Sequence, residues 1–333
     1  MSCENKKILV IGGSSLFGVY LIPLLIKQGC EVIATYMHGQ QIKERTDIAE
    51  YTGGVATPEW TEMDVLDKDS IIRVLKEFRP EIIYDFAVQN SVGRAWKDPA
   101  VTVDINVIGG INLFDAVRAI EGYSPRILRG GSGEEYGRAD YDRLPMAETL
   151  QPKPNNIFAS TLVCQALLAG IYHRAYGMDI ITVRTFNEIG PGMSRRFSVA
   201  DFCSQFASAH KEGRESFTLH AGNINIERDY TDVRDLVKAY AVLAEKGRGG
   251  EIYNAGRGNA VSIRKVIEML EEISGVKAEI VVDPSRIRPI DTPKFESDCR
   301  KIYEDTGWKT EIELKDTISE MYGYYNKIDG NAV

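Results

Sequence analysis

The stretch "ILVIGGSSLFG" places Gly12, Gly13 and Gly18 where an apolar run passes into a helical one. Glycines so spaced let backbone N–H groups and a helix N-terminus approach a pyrophosphate. Gly12, Gly13, Ser14, Ser15, Leu16, Phe17 and Gly18 therefore form the candidate loop for a dinucleotide. The extended motif G-x-x-G-x-x-G carries glycine where Ser15 stands, and a Cβ there crowds the approach. A plain strand-to-helix turn would use the same glycines. Further on, Tyr36 and Met37 occupy the place where an acid would hold the ribose 2′-hydroxyl of NAD, and His38, Lys43 and Arg45 follow. These cations lean toward NADP over NAD, unless they are solvated loop charges.

A chain of this pattern is expected to keep its proton-transfer groups near "NNIFASTLVCQ", Asn155 to Gln165. That stretch holds no tyrosine, lysine, histidine or carboxylate. Any acid or base must come from elsewhere.

The elements that position these residues follow from the hydrophobic rhythm. Short β-branched runs alternate with helical stretches from Lys7 to about Asp179, the signature of parallel strands joined by helical crossovers. Strands are predicted at "KILVIGG", "EVIATY", "TPEWTEMD", "EIIYDFAV", "PRILRGG" and "DIITVRTF", with helices such as "DSIIRVLKEFR" and "VTVDINVIGGINLFDAVRAI" between them. Right-handed crossovers then give an α/β fold, a Rossmann-type doubly wound parallel sheet. Beyond Asn187 the strands "FTLHAG" and "GEIYNAG" are interleaved with helices and read as a smaller C-terminal α/β substrate lobe. The expected division is residues 1–186 for the dinucleotide and 187–333 for the second ligand, the two sharing one cleft.

The sequence has 333 residues with a formal net charge of −8. An acidic protein is a poor partner for nucleic acid or an anionic membrane. The apolar run "YLIPLLI" is too short to span a bilayer. The five cysteines contain no C-x-x-C pair, so neither a zinc site nor a disulfide framework is indicated. A cytoplasmic protein without a metal is expected.

Taken together the motifs resemble the extended short-chain dehydrogenase/reductase family, in its NAD(P)-dependent nucleotide-sugar epimerase/dehydratase group, and there the GDP-mannose 4,6-dehydratases and GDP-6-deoxy-4-keto-hexose reductases. "MDVLD" resembles the adenine-contacting segment, with Asp64 and Val65. "FAVQNSVGRAW" resembles the loop near the nicotinamide, which implies cofactor contacts from Phe86, Ala87 and Val88 and a substrate contact from Gln89. "NVIGG" resembles the helix motif of Asn106. "SGEEYG" matches the catalytic turn, which implies roles for Ser132, Glu134 and Tyr136, whereas Glu135 reads as solvated. "RTFNEIGPG", "GNINIERDYTDVRDLVKAY" and "RIRPIDTP" resemble nucleotide-sugar-binding segments, which implies substrate contacts from Asn187, Arg228, Arg288 and Asp291. Asn187 and the two arginines are donors suited to a diphosphate or a base edge.

The resemblance also exposes a departure. The family's Y-x-x-x-K pair falls on Ile157 and Thr161, and isoleucine exchanges no proton. Asp85 falls where many relatives carry histidine; it is either a replacement acid or base, or a strand-end carboxylate bonded to backbone N–H groups. Alcohol oxidation, which needs a base for a weakly acidic hydroxyl, is the step such losses impair most. The remaining chemistry is reduction of a GDP-linked keto-deoxy-sugar, or proton transfer beside its ketone. The alternative is a non-catalytic binder that pairs with an active paralogue. The broad apolar faces of "INLFDAVRAI" and "NIFASTLVCQALLAGIYHRAYG", and the intersubunit bundle that the resemblance implies, point to a homodimer.

Overall fold

The computed structural model describes residues 5–39, 46–54, 57–138, 143–287, 290 and 292–328. Six strands appear where the hydrophobic alternation puts them: β1 Lys7–Ile11, β2 Glu31–Tyr36, β3 Glu59–Glu62, β4 Ile82–Asp85, β5 Arg126–Ser132 and β6 Ile180–Thr185. They pair in parallel in the order β3-β2-β1-β4-β5-β6. The strand Ile252–Ala255 adds a seventh, parallel to β6. "GEIYNAG" was expected in the second lobe, so its place at the edge of the main sheet is a correction. A four-residue apolar run between two helices does not say which sheet it joins.

Both faces of the sheet are covered because successive side chains point to opposite sides. Ile8, Val10, Ala34, Tyr84 and Leu128 enter one core with helices Leu16–Lys27 and Val233–Lys246. Leu9, Ile11, Ile33, Ile83 and Ile127 enter the other, with helices Lys68–Phe78 and Gly109–Arg118. Small two-stranded units build the second lobe: Ser216–Ala221 with Lys277–Val282, and Glu188–Ile189 with Thr231–Asp232. Each catalytic-side loop leaves the C-terminal end of a sheet strand, where ligands bind in doubly wound folds.

The run from Pro99 to Arg118 is long and apolar enough to cross a membrane by length and composition. Here it flanks the sheet, with Leu113, Phe114, Ala116 and Val117 in the core. A π-turn over Asp104–Ile108 interrupts it and aims Asn106 inward. Such turns often mark functional positions.

Candidate functional site

The phosphate turn is built by close approach. Gly12 has φ of +76°, and a Cβ on it would lie 2.9 Å from the Phe86 carbonyl oxygen. A Cβ on Gly18 would lie 2.4 Å from the Gly13 oxygen, so only glycine fits either place. The N–H groups of Gly12 and Gly13 donate to Oγ1 and the carbonyl of Thr35 at 3.2 Å each, pinning the turn to β2. Ser15 sits in ordinary extended backbone and caps the Leu16–Lys27 helix, accepting the Gly18 N–H at 3.1 Å. Its effect is thus to occupy one anion-binding donor rather than to strain the turn.

Around this turn Ser14 and Asp64 are exposed, while Leu16, Phe17, Tyr36, Val65, Ala87 and Val88 are half-buried. Asp64 accepts the Leu66 N–H at 2.8 Å. His38 faces Glu62 at 3.2 Å; Lys43 and Arg45 lie outside the described residues. The glycine cradle and the shelf after β2 and β3 fit a dinucleotide. Its holders would be the turn of Gly12 to Gly18 and the flanking Tyr36, Asp64, Val65, Phe86, Ala87 and Val88.

Past β5, Ser132 accepts the Glu134 N–H at 3.2 Å and starts a short 3-10 turn, Gly133–Tyr136. Glu134 accepts from Nδ2 of Asn156 at 3.1 Å, and Asn156 in turn caps the Ile157–Tyr176 helix through the Ala159 N–H. Ser132 and Glu134 line the cleft. Two expectations fail here. Tyr136, a catalytic candidate, is 1% exposed and donates to Oδ1 of Asn254 at 2.7 Å; burial pushes its phenol up to about 12. Glu135 is fully buried, accepts the Ser132 N–H and pairs with Arg184 at 2.8 Å. The tight turn sends Glu135 and Tyr136 inward and leaves Glu134 to the cleft, and the Arg184 guanidinium lies over the Tyr136 ring.

The positions of the missing pair are closed. Ile157 packs beside Ala95, Phe158 and Leu162, with Val88 and Val92. Thr161 is buried, donates to the Phe158 carbonyl at 2.7 Å and accepts from Nδ2 of Asn106 at 2.9 Å. Oδ1 of Asn106 accepts the Gln89 N–H at 2.8 Å. Gln89, expected to touch substrate, is itself buried; Nε2 donates to Thr102 and to the Ser91 carbonyl, and Oε1 accepts the Ser91 N–H. It holds the loop together instead, a correction that follows from all its polar atoms being used.

Asp85 is buried at the end of β4, accepts the Ala87 N–H at 3.2 Å and lies opposite Arg129 of β5. Burial pushes its carboxyl above the ordinary range and the Arg129 charge opposes that. Asp85 lines neither chamber of the cleft, so the strand-end reading holds. Nε and Nη1 of Arg129 have no hydrogen-bond partner among the described residues.

The cleft itself has two chambers. One is walled by Phe17, Phe86, Val88, Phe158 and Tyr240, with Ser132 at its edge. The other carries Arg195, Arg196, Arg228, Arg286 and Asn223. Glu134, Asn187 and Glu188 line both. Arg228 is buried, donates to the carbonyls of Glu227 and Thr292 and lies over the Phe295 ring. Arg288 and Asp291 lie outside the described residues. Among the described residues no three His, Cys, Asp or Glu side chains gather as a metal would need.

A family model described as GDP-mannose 4,6 dehydratase matches residues 9–321. The chain belongs to that family. It is similar to the GDP-6-deoxy-D-mannose reductase of Pseudomonas aeruginosa, at 34% identity over 255 residues, covering 77% of this chain and 83% of the relative. The solved structure of RMD from the same organism, complexed with NADPH, matches at 29% identity with a TM-score of 0.79 over 97% of this chain and 98% of that one. A UDP-glucose 4-epimerase structure from Thermotoga maritima, with UDP-glucose, matches at 25% identity with a TM-score of 0.84, covering 96% and 99%.

Within this family, of the nucleotide-sugar epimerase, dehydratase and reductase group, the chain keeps the glycine turn, the Asn106 motif and the Ser132–Glu134 turn. It lacks the tyrosine and lysine. The sequence motifs did not single out Arg195 and Arg196, which follow "RTFNEIGPG", and within "RIRPIDTP" they pointed to Arg288 and not to Arg286. They missed Glu188 because one carboxylate beside Asn187 carries no spacing signal.

Proposed function

We propose that this chain is a cytoplasmic, homodimeric reductase of a GDP-linked keto-deoxy-sugar that uses NADP in preference to NAD. The observation that carries the reading is a cleft with carboxylates at the chamber junction and no base at positions 157 and 161. A ketone needs only a proton for the oxygen it develops on reduction, whereas an alcohol needs a strong base first. Residues 1–186 hold the dinucleotide and residues 187–333 the nucleotide sugar. A bound nicotinamide dinucleotide supplies the hydride.

The chain's own residues do the rest. Arg195, Arg228 and Arg286 give the second chamber the positive field that a diphosphate requires, in a protein otherwise acidic. Asn187 and Glu134 orient the sugar where the chambers meet, and the Phe17, Phe86 and Phe158 wall excludes water. The similarity to a GDP-6-deoxy-D-mannose reductase supports guanine as the base, and the NADPH-bound relative supports the cofactor. The four described cysteines are free thiols, which suits a reducing compartment. Incubation with reduced NADP and a GDP-linked 4-keto-6-deoxy-hexose should yield a sugar nucleotide carrying two more hydrogens by mass spectrometry. Calorimetry should rank GDP above UDP and CDP; no product, with both ligands bound, would refute the reading.

A further inference from the structure

Glu188 stands at the junction of the two chambers. Its backbone is fixed by the parallel pairing of Glu188–Ile189 with Thr231–Asp232 and by the Thr231 N–H on the Asn187 carbonyl at 3.1 Å. Ile189 turns into the core, and alternation along the strand sends Glu188 the other way, toward the cleft. There it is part-exposed and lines the first chamber together with Phe86 and Tyr240.

Two features separate it from its neighbour across the junction. Glu134 is held as an acceptor by Asn156. Glu188 borders the apolar wall of the first chamber as well as the arginine chamber, and burial pushes its carboxyl above the ordinary range. The Tyr240 hydroxyl, which lines the same chamber, is fully buried with no hydrogen-bond partner among the described residues. A carboxyl group whose pKa is raised by burial is suited to deliver a proton as a general acid.

We propose that Glu188 is the proton donor for the carbonyl oxygen of the keto-sugar. This rests on the reductase reading above. The ketone carbon takes up a hydride from a reduced nicotinamide and the carbonyl π pair moves to oxygen. That oxygen takes the Glu188 proton, leaving a carboxylate that regains a proton from water. One C–H and one O–H bond form, the sugar gains two electrons and the nicotinamide loses them.

The test uses the full chain, Glu188→Gln and Glu188→Asp. Infrared difference spectra at neutral pH, wild type minus Glu188→Gln without ligand, should contain the carbonyl stretch of a protonated carboxyl; Asp85, common to both, cancels. With keto-sugar nucleotide and reduced cofactor, Glu188→Gln should lose about 100- to 10,000-fold in kcat while GDP affinity stays unchanged, and Glu188→Asp should recover part of the loss. No such band, or an unchanged kcat in Glu188→Gln, overturns the assignment. A wild type that binds both ligands without turnover instead overturns the reductase reading, and this assignment with it.

Discussion

Thr161 shows how one side chain redirects a cleft. Its hydroxyl is committed to Asn106 and the Phe158 carbonyl, so it brings neither charge nor a mobile proton to the cofactor side. Ile157 adds only apolar surface. Replacing both, as Ile157→Tyr with Thr161→Lys, should raise oxidation of a nucleotide-linked alcohol by about 100- to 10,000-fold. Reduced-cofactor absorbance, recorded after cofactor affinity is matched, checks this. Glu188 gives a second expectation. It works only while protonated, so reduction should be full at low pH and fall as pH rises through its elevated pKa. Tyr240 faces it from the Val233–Lys246 helix, Glu134 from the turn after β5, and Arg195 and Arg228 from the second chamber. The pH profile of kcat should lose this limb in Glu188→Gln while any limb set by the others persists.

The passage from β5 through Ser132 to Tyr136, with β6 beside it, is held by the Glu135–Arg184 pair. Both side chains are almost wholly buried, so removing one charge strands the other. Glu135→Gln should cost about 3–5 kcal/mol, read as a lower urea midpoint with an unchanged slope. The sequence disclosed this element but not its wiring. β1, β2, β4, β5 and β6 appeared because buried parallel strands leave a strong apolar record, whereas β3, "EWTE" at the sheet edge, is not buried and leaves a weaker one. Nothing in "SGEEYG" distinguishes Glu134, which meets the cleft, from Glu135, which meets the core; a single turn of backbone decides it. Tyr136 and Gln89 failed for the same reason, since motif position fixes a backbone place and not the direction of a side chain. Ile252–Ala255 went to the wrong lobe because strand order is a tertiary property.

At the scale of the whole molecule, the Ile157–Tyr176 helix and the run from Pro99 to Arg118 leave an apolar face uncovered. Leu167 is 65% exposed, Ile171 48% and Ile108 42%. The proposed homodimer would place this face between two copies of the chain, since exposed apolar patches mark interaction sites. Light scattering should give a dimer for the wild type and a monomer for Leu167→Arg; a wild-type monomer would refute it. The sequence already pointed to Arg228 through its motif, whereas its gathering with Arg195, Arg196 and Arg286 into one chamber, from segments far apart in the chain, is a property of the folded molecule.

As a reductase, this cleft should reduce ketones and leave alcohols unoxidised. The most direct measurement follows reduced NADP by absorbance in both directions, first with a GDP-linked 4-keto-6-deoxy-hexose and then with GDP-mannose and oxidised cofactor, after both ligands are shown to bind. Consumption of reduced cofactor with the ketone, and little or no formation of it with the alcohol, is the expected result. Robust oxidation of GDP-mannose by the unmodified protein would contradict it.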